Sequence, residues 1–564
     1  MKPSPALLAR ARAFAADDIS ADDRQVVLDL CEAATTDEAA AADLASRFAG
    51  PLTFGTAGLR APMGAGESRL NRAIVVRAAH AVGQWVAAGG GGPIVIGWDA
   101  RHHSAQFALD TARVISSIPG CEALLLPEAL PTPVLAYAVR HCGARAGIMV
   151  TASHNPAADN GYKVYDARGI QIVPPADTEI AALIERAPPA RQIELGDGYA
   201  RLDHEVHHAY VGDVAETLTG PGQPAEPDPL AWVYTPLHGV GAATMDLLRR
   251  AAGLPAPHLV IAQADPDPEF PTVAFPNPEE PGAMDAALAL AAEVRADLVI
   301  AHDPDADRCA VAAPDLAGWR VLRGDEVGLL LAWWTVQRAR QTGQPLAAPA
   351  QFASSIVSSS ALAAFAHAEG IGWQGTLTGF KWVARVPHLA YGYEEALGYC
   401  MTPALVGDKD GLGAAIAMLS LTAELRSHGR CLDDVLDDIA ARIGVHETRQ
   451  ASLRFPTAAA AQAAVAARVA APPTSIAGLP VLGVDNLAEG VDGLPPTTGL
   501  RLWLLGPPTE SPRVRVIVRP SGTEPKAKCY VEVVLPPAAP LGPARAAASA
   551  RADAVMAAMT EALA

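Results

Sequence analysis

Short apolar runs that end directly in polar loops recur along this chain, and they constrain its fold more than any other feature. Ala146–Val150 leads into Thr-Ala-Ser-His-Asn-Pro at 151–156, and residues 297–301 lead into a loop with three aspartates. Runs of four to eight apolar residues bounded by glycine or proline are typical of buried strands. Helical segments separate these runs, which predicts mostly parallel sheets covered by helices. We therefore predict an α/β protein with its functional side chains at the carboxyl ends of strands, where open α/β sheets bind ligands.

The length predicts several domains, because 564 residues exceed what one hydrophobic core organises. We predict three α/β domains, at 1–205, 206–315 and 316–440, and a smaller α+β domain at 441–564. The three α/β units share one arrangement, although their sequences are too dissimilar to be identified as repeats. In the last domain we expect two clear strands and a long C-terminal helix. The Pro- and Gly-rich residues 472–512 are predicted to form loops.

Composition and charge exclude several classes of protein. The formal net charge of −18 at pH 7 disfavours nucleic-acid binding. The N-terminus lacks the apolar core of a signal peptide. No uninterrupted apolar run approaches the roughly 18–20 residues that span a bilayer. We expect a cytoplasmic protein without nucleic-acid or membrane partners.

Ser153 is the first candidate functional residue. A loop serine is most often a turn or capping residue. The glycine positions of the G-x-S-x-G nucleophile elbow are occupied here by Thr151 and Asn155, which disfavours acyl chemistry. His154 and Lys163 suit an anionic serine adduct better than an oxyanion hole. The hypothesis is that Ser153 carries a phosphoryl group.

The loop that follows residues 297–301 carries the second candidate, three alternate aspartates at 303, 305 and 307. Alternate carboxylates on an extended loop can converge on one hard cation. An EF-hand loop is excluded, because Arg308 and Pro314 occupy its glycine and glutamate positions. The alternative is a solvated acidic turn, but three acids after a buried strand would repel one another without a cation. We predict that Asp303, Asp305 and Asp307 bind a divalent metal.

A donor-rich loop at 519–526 is the third candidate. Within eight residues it combines an arginine, two hydroxyls, a glycine and a lysine: Arg519, Ser521, Gly522, Thr523 and Lys526. Charge-assisted donors and exposed backbone amides together bind phosphate. The alternative is an ordinary hairpin connection with polar turn residues. The density of donors favours a phosphate site.

Weaker candidates lie on other glycine-flanked loops. Glu394 and Glu395, in Gly-Tyr-Glu-Glu-Ala-Leu-Gly, could accept bonds from sugar hydroxyls, although paired loop glutamates are usually only solvated. Lys381 and Arg60 are single basic residues for which surface charge is the default interpretation. Arg308 directly follows the acidic loop, which makes a role there more plausible.

Taken together, these loops in this order resemble the α-D-phosphohexomutase superfamily. The resemblance spans about residues 50–535 and depends on T-A-S-H-N-P, D-x-D-x-D-R and R-P-S-G-T-E-P-K. The G-Y-E-E-A-L-G-Y and T-G-F-K-W stretches resemble the branch with bacterial α-phosphoglucomutases and the phosphoglucomutase/phosphopentomutase enzymes. The phosphomannomutase/phosphoglucomutase branch has G-E-x-S-G-H there, and Ala396 stands where its serine would be.

The resemblance implies three related α/β domains and a smaller C-terminal domain around a central active-site cleft. It implies a phosphoserine at Ser153 and Mg²⁺ held by the three aspartates with a serine-phosphate oxygen. Lys381 would be the general acid/base, with His154 and Lys163 as further candidates. Arg60 and Arg308 would stabilise the phosphoryl group. Sugar hydroxyls and the second phosphate would be bound by Glu394, Glu395, Arg519, Ser521, Gly522, Thr523 and Lys526.

The expected activity is the interconversion of glucose 1- and 6-phosphates, with glucose 1,6-bisphosphate as activator. A phosphomannomutase or phosphopentomutase with the same mechanism is the alternative. A metal-dependent sugar phosphatase is more remote, because a hydrolase has no need for a second phosphate site. A catalytically inactive sugar-phosphate binding protein is disfavoured by the intact serine, aspartates and lysine. We expect a monomer or homodimer whose ligand is a phosphorylated sugar.

Overall fold

The chain forms three mixed sheets and a fourth, antiparallel sheet, each flanked by helices. A computed structural model describes residues 3–563 except 56, 220–229, 316–317, 347, 507–511 and 522–524. Residues 3–219 form α1 (Pro5–Asp17), α2 (Ala21–Ala33), α3 (Glu38–Arg47), β1 (Leu59–Pro62), α4 (Arg72–Ala88), β2 (Gly92–Trp98), α5 (Ser104–Ser116), β3 (Cys121–Leu125), α6 (Thr132–His141), β4 (Ala146–Val150), β5 (Asp159–Asp166), α7 (Ala176–Arg186), β6 (Ala200–Arg201) and α8 (Glu205–Thr219).

The second and third sheets follow along the chain. Residues 232–321 form β7 (Trp232–Thr235), α9 (Gly241–Ala251), β8 (His258–Leu259), α10 (Ile261–Ala264), α11 (Asp285–Val294), β9 (Leu298–His302), β10 (Cys309–Asp315) and β11 (Gly318–Val321). Residues 324–443 form α12 (Gly324–Gln341), β12 (Gln351–Ser355), α13 (Ala361–Ala368), β13 (Gly372–Thr376), α14 (Phe380–Val383), β14 (Leu389–Glu394), β15 (Gly398–Cys400), α15 (Gly411–Ser427) and α16 (Leu432–Ile443).

The C-terminal segment forms an antiparallel sheet with two helices. Its elements are β16 (Val445–Arg454), α17 (Ala458–Ala470), β17 (Ser475–Ile476), β18 (Leu479–Asn486), β19 (Leu500–Leu504), β20 (Arg513–Pro520), β21 (Lys526–Leu535) and α18 (Leu541–Leu563). The predicted strands around 514–518 and 528–534 and the long helix are present. The prediction of loops at 472–512 was wrong, since β17, β18 and β19 lie there. Proline and glycine interrupt the apolar alternation of β18, and pairing with β19 compensates for its weak sequence signal.

The first three sheets share one topology, which the sequence did not reveal as a repeat. In each, a central strand (β2, β7 or β12) lies between two parallel neighbours, β3 and β4, β8 and β9, or β13 and β14. The later of these neighbours then pairs antiparallel with the next strand along the chain, β5, β10 or β15. The predicted fold class, three related α/β domains plus a smaller C-terminal α+β domain, is therefore confirmed.

The same hairpin connection of each sheet carries a predicted functional loop. The serine loop joins β4 to β5, the aspartate loop joins β9 to β10, and the glutamate loop joins β14 to β15. Each loop contains a non-glycine residue in the left-handed region, Ser153 (φ 52°), Ala306 (φ 52°) and Leu397 (φ 61°). Such residues are uncommon and cluster at functional sites. The same connection therefore contains a left-handed residue in all three sheets, while its functional side chains differ from sheet to sheet.

The C-terminal sheet has the strand order β16-β21-β20-β19-β18-β17 and two different faces. One face carries Val514, Val516 and Val518 and packs on apolar residues of α17 and α18. The other face carries Arg513, Arg515, Ile517 and Arg519, because successive side chains of a strand point to opposite faces. Within the described residues, no helix is long and apolar enough to cross a membrane.

By internal contacts the chain divides into two units. The first comprises Met1–Val321 with Thr402–Ser420, and the second comprises Leu322–Met401 with Leu421–Ala564. The serine and aspartate loops belong to the first unit, and the glutamate and phosphate loops belong to the second. The predicted domain boundaries at 205, 315 and 440 stay a prediction.

Candidate active site

Ser153 is buried in the β4–β5 connection with its hydroxyl aimed at the aspartate loop. Its Oγ donates to Asp303 Oδ2 at 2.7 Å and lies 3.1 Å from His154 Nδ1. Its backbone N–H donates to Thr151 Oγ1 at 2.8 Å. These bonds hold the serine in its left-handed backbone conformation, which costs free energy unless the surroundings compensate. The hydroxyl is therefore fixed beside the acidic cluster.

Arg101 holds the backbone of the serine loop from behind. Its guanidinium is buried and contacts the ring of Phe270, with Cζ 4.9 Å from the ring centroid. It donates to Ser153 O at 2.6 Å, to Pro156 O at 2.8 Å, and also to the carbonyls of residues 155 and 159. Asp99 accepts from Thr151 Oγ1 at 2.6 Å and pairs with Arg101 at 3.4 Å. Neither Asp99 nor Arg101 carries a sequence signal that marks it as functional.

Arg101→Met should misplace the serine loop without touching the reacting atoms. We expect kcat to fall by about 100-fold, the loss that about 1 Å of misplacement causes, with a smaller change in KM. Steady-state kinetics and the rate of Ser153 phosphorylation would measure this. Arg113→Met is the matched control, because Arg113 also donates to two carbonyls, at 195 and 196, remote from the serine loop. Equal kinetics of the two variants would contradict a positioning role for Arg101.

The three predicted metal ligands converge in the β9–β10 connection. Asp303, Asp305 and Asp307 are fully buried, and one oxygen of each lies within 4.8 Å of the others. Asp305 Oδ2 accepts from Thr132 Oγ1 at 2.6 Å, which fixes that carboxylate. The structure therefore brings together the predicted serine and all three aspartates.

The cluster fits a hard dication such as Mg²⁺. Oδ1 of Asp305 and Oδ1 of Asp307 are buried and have no hydrogen-bond partner among the described residues. Buried carboxylate oxygens are costly to leave unsatisfied, and they are the ligands that Mg²⁺ prefers. Burial and the two neighbouring carboxylates raise the pKa of Asp303 well above its usual range, which indicates excess negative charge.

Two lysines partly balance this charge. Lys163 Nζ donates to Asp305 Oδ2 at 2.8 Å and to Asp307 Oδ2 at 3.2 Å. Lys409 Nζ donates to Asp307 Oδ2 at 2.6 Å. Burial alone would lower the pKa of Lys163, but the aspartates raise it overall. Lys163 is therefore held as an ammonium, which suits charge neutralisation better than the general-base role that the sequence analysis also considered.

Lys409 was missed because it lies far along the chain, in Gly-Asp-Lys-Asp-Gly at 407–411. Its neighbour Asp408 accepts from Tyr165 Oη at 3.0 Å and from Gln171 Nε2 at 2.9 Å, so the loop is anchored to the first sheet. Asp410 accepts from Tyr210 Oη at 2.8 Å. The glycine-flanked charges of this loop were the only available sequence signal.

The other predicted basic residues of the first unit surround the serine and aspartate loops. Arg60 donates to Asn155 Oδ1 at 3.0 Å. Arg308 donates its backbone N–H to Asp303 Oδ1 at 3.0 Å and its side chain to Glu279 Oε2 at 3.2 Å. Burial and then the positive charges of Arg308 and Arg60 lower the pKa of His154 well below its usual range. His154 is therefore a neutral imidazole within reach of the Ser153 hydroxyl.

In the second unit, the loops of Lys381 and Glu394 are joined. Lys381 is the second residue of α14, a helix that begins directly after Gly379, whose φ of 111° favours glycine. The backbone N–H of Gly379 donates to Glu394 Oε1 at 2.6 Å. Glu394, at the end of β14, thus fixes the entry to the lysine helix. The roles predicted for both side chains stay predictions.

Glu395 bonds within its own unit. Its Oε2 accepts from Ser358 Oγ at 2.7 Å and from Ser355 Oγ at 3.2 Å. Both serines belong to the Ser-Ser-Ile-Val-Ser-Ser-Ser segment at 354–360, named here the serine-rich loop. These contacts hold the glutamate loop in place, and they favour a positioning role for Glu395 alongside the predicted substrate contact.

The C-terminal sheet holds the other side of the serine-rich loop. Arg515 donates to Ser358 O at 2.6 Å and Ile356 O at 3.0 Å, and it pairs with Glu532 at 3.0 Å. Glu532 Oε1 accepts from Ser359 Oγ and from the Ser360 N–H, each at 2.7 Å. This buried network, Arg515 with Glu532, therefore links β20 and β21 to the loop that fixes Glu395.

The phosphate loop joins β20 to β21, and Ser521 N donates to Lys526 O at 2.8 Å to close it. The predicted residues Gly522 and Thr523 lie outside the described residues. Arg519 of β20 lies directly opposite Lys528 of β21 in the sheet, and Lys526 of β21 lies opposite Arg454 of β16. Directly opposed residues share a face, so four basic side chains lie on one face beside the loop. The phosphate-binding role predicted for Arg519, Ser521 and Lys526 stays a prediction.

Comparison with known proteins agrees with this arrangement. Models described as phosphoglucomutase/phosphomannomutase, alpha/beta/alpha domains I, II and III match residues 51–191, 208–318 and 323–443. A Haemophilus influenzae protein named "probable phosphomannomutase" is 41% identical over 470 residues, 82% of this chain and 93% of that protein. The chain belongs to the α-D-phosphohexomutase superfamily. The resemblance on which the sequence analysis depended is thus confirmed.

Other relatives of this phosphohexomutase differ in their named sugars. A Mus musculus phosphopentomutase is 38% identical over 437 residues, 72% of this chain and 70% of that protein. A Staphylococcus aureus phosphoglucomutase is 32% identical over 519 residues, 87% of this chain and 91% of that protein. The crystal structure of a Burkholderia thailandensis family protein has a TM-score of 0.66 at 20% identity, covering 90% and 97% of the two chains. It supports the fold alone.

Members of this superfamily are isomerases that interconvert sugar phosphates, and this phosphohexomutase is an enzyme of that class. The predicted enzyme class is therefore confirmed. A cluster of aspartates able to hold a metal is also present in the site. The relatives do not agree on the sugar, which leaves its identity to the next subsection.

Proposed function

We propose that this phosphohexomutase interconverts glucose 1-phosphate and glucose 6-phosphate through a phosphoserine at Ser153. The single observation that carries the proposal is the Ser153 hydroxyl, 2.7 Å from Asp303 and beside two carboxylates with unpartnered oxygens. A nucleophile buried next to a cation site suits transfer of a dianionic group. An ordinary hydroxyl-capping serine would have no reason to face an acidic cluster.

The transfer itself needs few groups from this chain. In the forward half-reaction the bond between phosphorus and Ser153 Oγ breaks while a bond forms to the free hydroxyl of the sugar. The sugar proton passes to a base, and the resemblance favours Lys381 for that role. The Ser153 oxygen takes up a proton as it leaves. In the second half-reaction the bond between phosphorus and the other sugar oxygen breaks as a bond to Ser153 Oγ forms, and the serine proton passes to His154 Nδ1, the ring nitrogen within reach. Glucose 1,6-bisphosphate would phosphorylate the resting serine.

Charge neutralisation would come from several directions. Asp303, Asp305 and Asp307 would hold Mg²⁺ with an oxygen of phosphoserine, and the cation would neutralise charge on the transferring group. Lys163 and Lys409 keep two of the carboxylates in place. Arg60 and Arg308 would bind the oxygens of the transferring phosphoryl group.

The substrate must be held in two orientations, since each of its ends reacts in turn. Glu394 would bind sugar hydroxyls. The phosphate that is not reacting would be bound by Arg519, Ser521, Gly522, Thr523 and Lys526. A second phosphate site has no use in a hydrolase, so the basic face beside β20 and β21 favours the mutase over the phosphatase.

Glucose is supported by the match to the Staphylococcus aureus phosphoglucomutase, which covers 91% of that protein. Pentose phosphate is the second candidate, because the Mus musculus relative at higher identity is a phosphopentomutase. Mannose phosphate is supported by the Haemophilus influenzae relative. Ala396 offers no hydroxyl to the sugar, so fewer side-chain contacts on this loop distinguish one sugar from another.

Kinetics with matched substrates would test the proposal. With Mg²⁺ and trace bisphosphate, we expect kcat/KM for glucose 1-phosphate to exceed that for mannose, ribose and deoxyribose 1-phosphates by at least about tenfold, which one well-placed hydroxyl contact supplies. The corresponding 1,6- or 1,5-bisphosphate would accompany each sugar, so that activation does not bias the comparison. A higher kcat/KM for ribose 1-phosphate would favour the phosphopentomutase, and inorganic phosphate as main product would favour the phosphatase.

A further inference from the structure

A second cluster of metal-ligating side chains lies in the first unit, away from the aspartate loop. Glu128 follows β3, His204 directly precedes α8, and His207 lies in the first turn of that helix. One ligand atom from each of the three lies within 4.8 Å of the others. His204 Nδ1 is 3.5 Å from Glu128 Oε1. None of these residues takes part in the proposed mutase reaction.

His207 is the buried member of this cluster, and its orientation is fixed. Its Nε2 lies 3.0 Å from the buried Thr244 Oγ1, so the ring atom left for a ligand is Nδ1. Metal-binding histidines are commonly oriented through such a bond to the other ring nitrogen.

The donor set differs from that of the aspartate cluster. Two imidazole nitrogens and one carboxylate suit a borderline transition-metal ion, and His₂Glu is a known zinc ligand set with one position open. Three buried carboxylates favour a hard cation instead. The two clusters should therefore select different ions from the same solution.

We propose that Glu128, His204 and His207 form a second metal site that binds Zn²⁺ or a similar transition-metal dication. The ion would link the connection after β3 to the first turn of α8, leaving one coordination position to solvent. Because the ligands come from segments more than 70 residues apart, a bound ion would also oppose their separation on unfolding.

The test is titration calorimetry of the full chain with Zn²⁺ in saturating Mg²⁺, which keeps the aspartate cluster occupied. We expect one Zn²⁺ per chain and a rise in melting temperature on binding. Glu128→Gln and His204→Gln should each weaken Zn²⁺ binding by at least about tenfold. Both side chains are largely exposed, so neither substitution should disturb folding.

His208→Gln is the matched control, because His208 is exposed and adjacent to the cluster without belonging to it. Its Zn²⁺ affinity should stay within about twofold of the unsubstituted chain. Zinc-edge X-ray absorption should report two imidazole ligands. The proposal would be overturned if no Zn²⁺ bound in saturating Mg²⁺, or if Glu128→Gln and His204→Gln bound Zn²⁺ as tightly as the unsubstituted chain. Equal losses from His208→Gln and His204→Gln would overturn the assigned ligand set.

Discussion

Ser153→Ala should abolish mutase turnover. We expect kcat to fall by at least about 10³-fold, because removing a covalent nucleophile typically costs 10³–10⁶-fold in rate. The substitution removes one oxygen. It leaves in place the bond that Arg101 donates to the residue 153 carbonyl and the bond that the residue 153 N–H donates to Thr151 Oγ1. Substrate affinity should therefore change much less than kcat.

Two measurements would separate chemistry from folding. Mass spectrometry after incubation with glucose 1,6-bisphosphate should show one added phosphoryl group on the unsubstituted chain and none on Ser153→Ala. Ser117→Ala is the matched control, since Ser117 caps its own helix through Val114 O and lies outside the site. Retention of more than a tenth of the turnover by Ser153→Ala would refute the phosphoserine mechanism.

Glu532→Ala should cause the largest loss of stability among the ion pairs of the C-terminal sheet. It would leave Arg515 buried without its carboxylate and remove the acceptor of Ser359 and Ser360. Breaking a buried pair on one side costs about 3–5 kcal/mol of unfolding free energy. Urea unfolding followed by circular dichroism would measure this loss. Because the same network holds the serine-rich loop, the KM for sugar phosphate should rise as well.

An exposed pair in the same domain provides the control. Arg449 and Asp553 are 2.6 Å apart, but the Asp553 side chain is 61% exposed. Asp553→Ala should therefore cost less than about 1 kcal/mol. Replacing both Arg515 and Glu532 by methionine should destabilise less than Glu532→Ala, because no buried charge remains. Similar losses from Glu532→Ala and Asp553→Ala would contradict this account of the pair.

The Arg515–Glu532 pair should make the free energy of unfolding decrease as the pH falls. Burial alone would raise the pKa of Glu532, but Arg515 and bonds from His446 and Ser359 lower it overall. As the pH falls, the Glu532 carboxylate is therefore protonated in the unfolded chain before it is protonated in the folded chain. The contribution of Glu532 is complete above its unfolded pKa of about 4.3 and is lost as the pH falls towards the folded value. Glu532→Gln should flatten that part of the stability profile.

The functional residues that could be predicted from the sequence are those that stand close together in one loop. Four donor- or acid-rich loops, each after an apolar run, predicted the α/β fold, the Ser153 nucleophile and the aspartate cluster. A hairpin connection keeps such residues together in the chain, so their shared chemistry is visible without the fold. The shared arrangement of the three α/β units was also predicted, but no sequence repeat marked it, because topology is preserved by strand pairing rather than by particular side chains.

Tertiary structure decided everything that depends on residues distant in the chain. Arg101 reaches the serine loop across 52 residues, and Lys409 reaches Asp307 across 102. A single arginine or lysine has the same sequence signature on a surface as in a site, and only burial beside carbonyls or carboxylates distinguishes the two. Glu395 likewise looked equivalent to Glu394 until Ser355 and Ser358 were seen to hold it. The sequence determined which chemistry is present, and the long-range contacts determined which side chains position it.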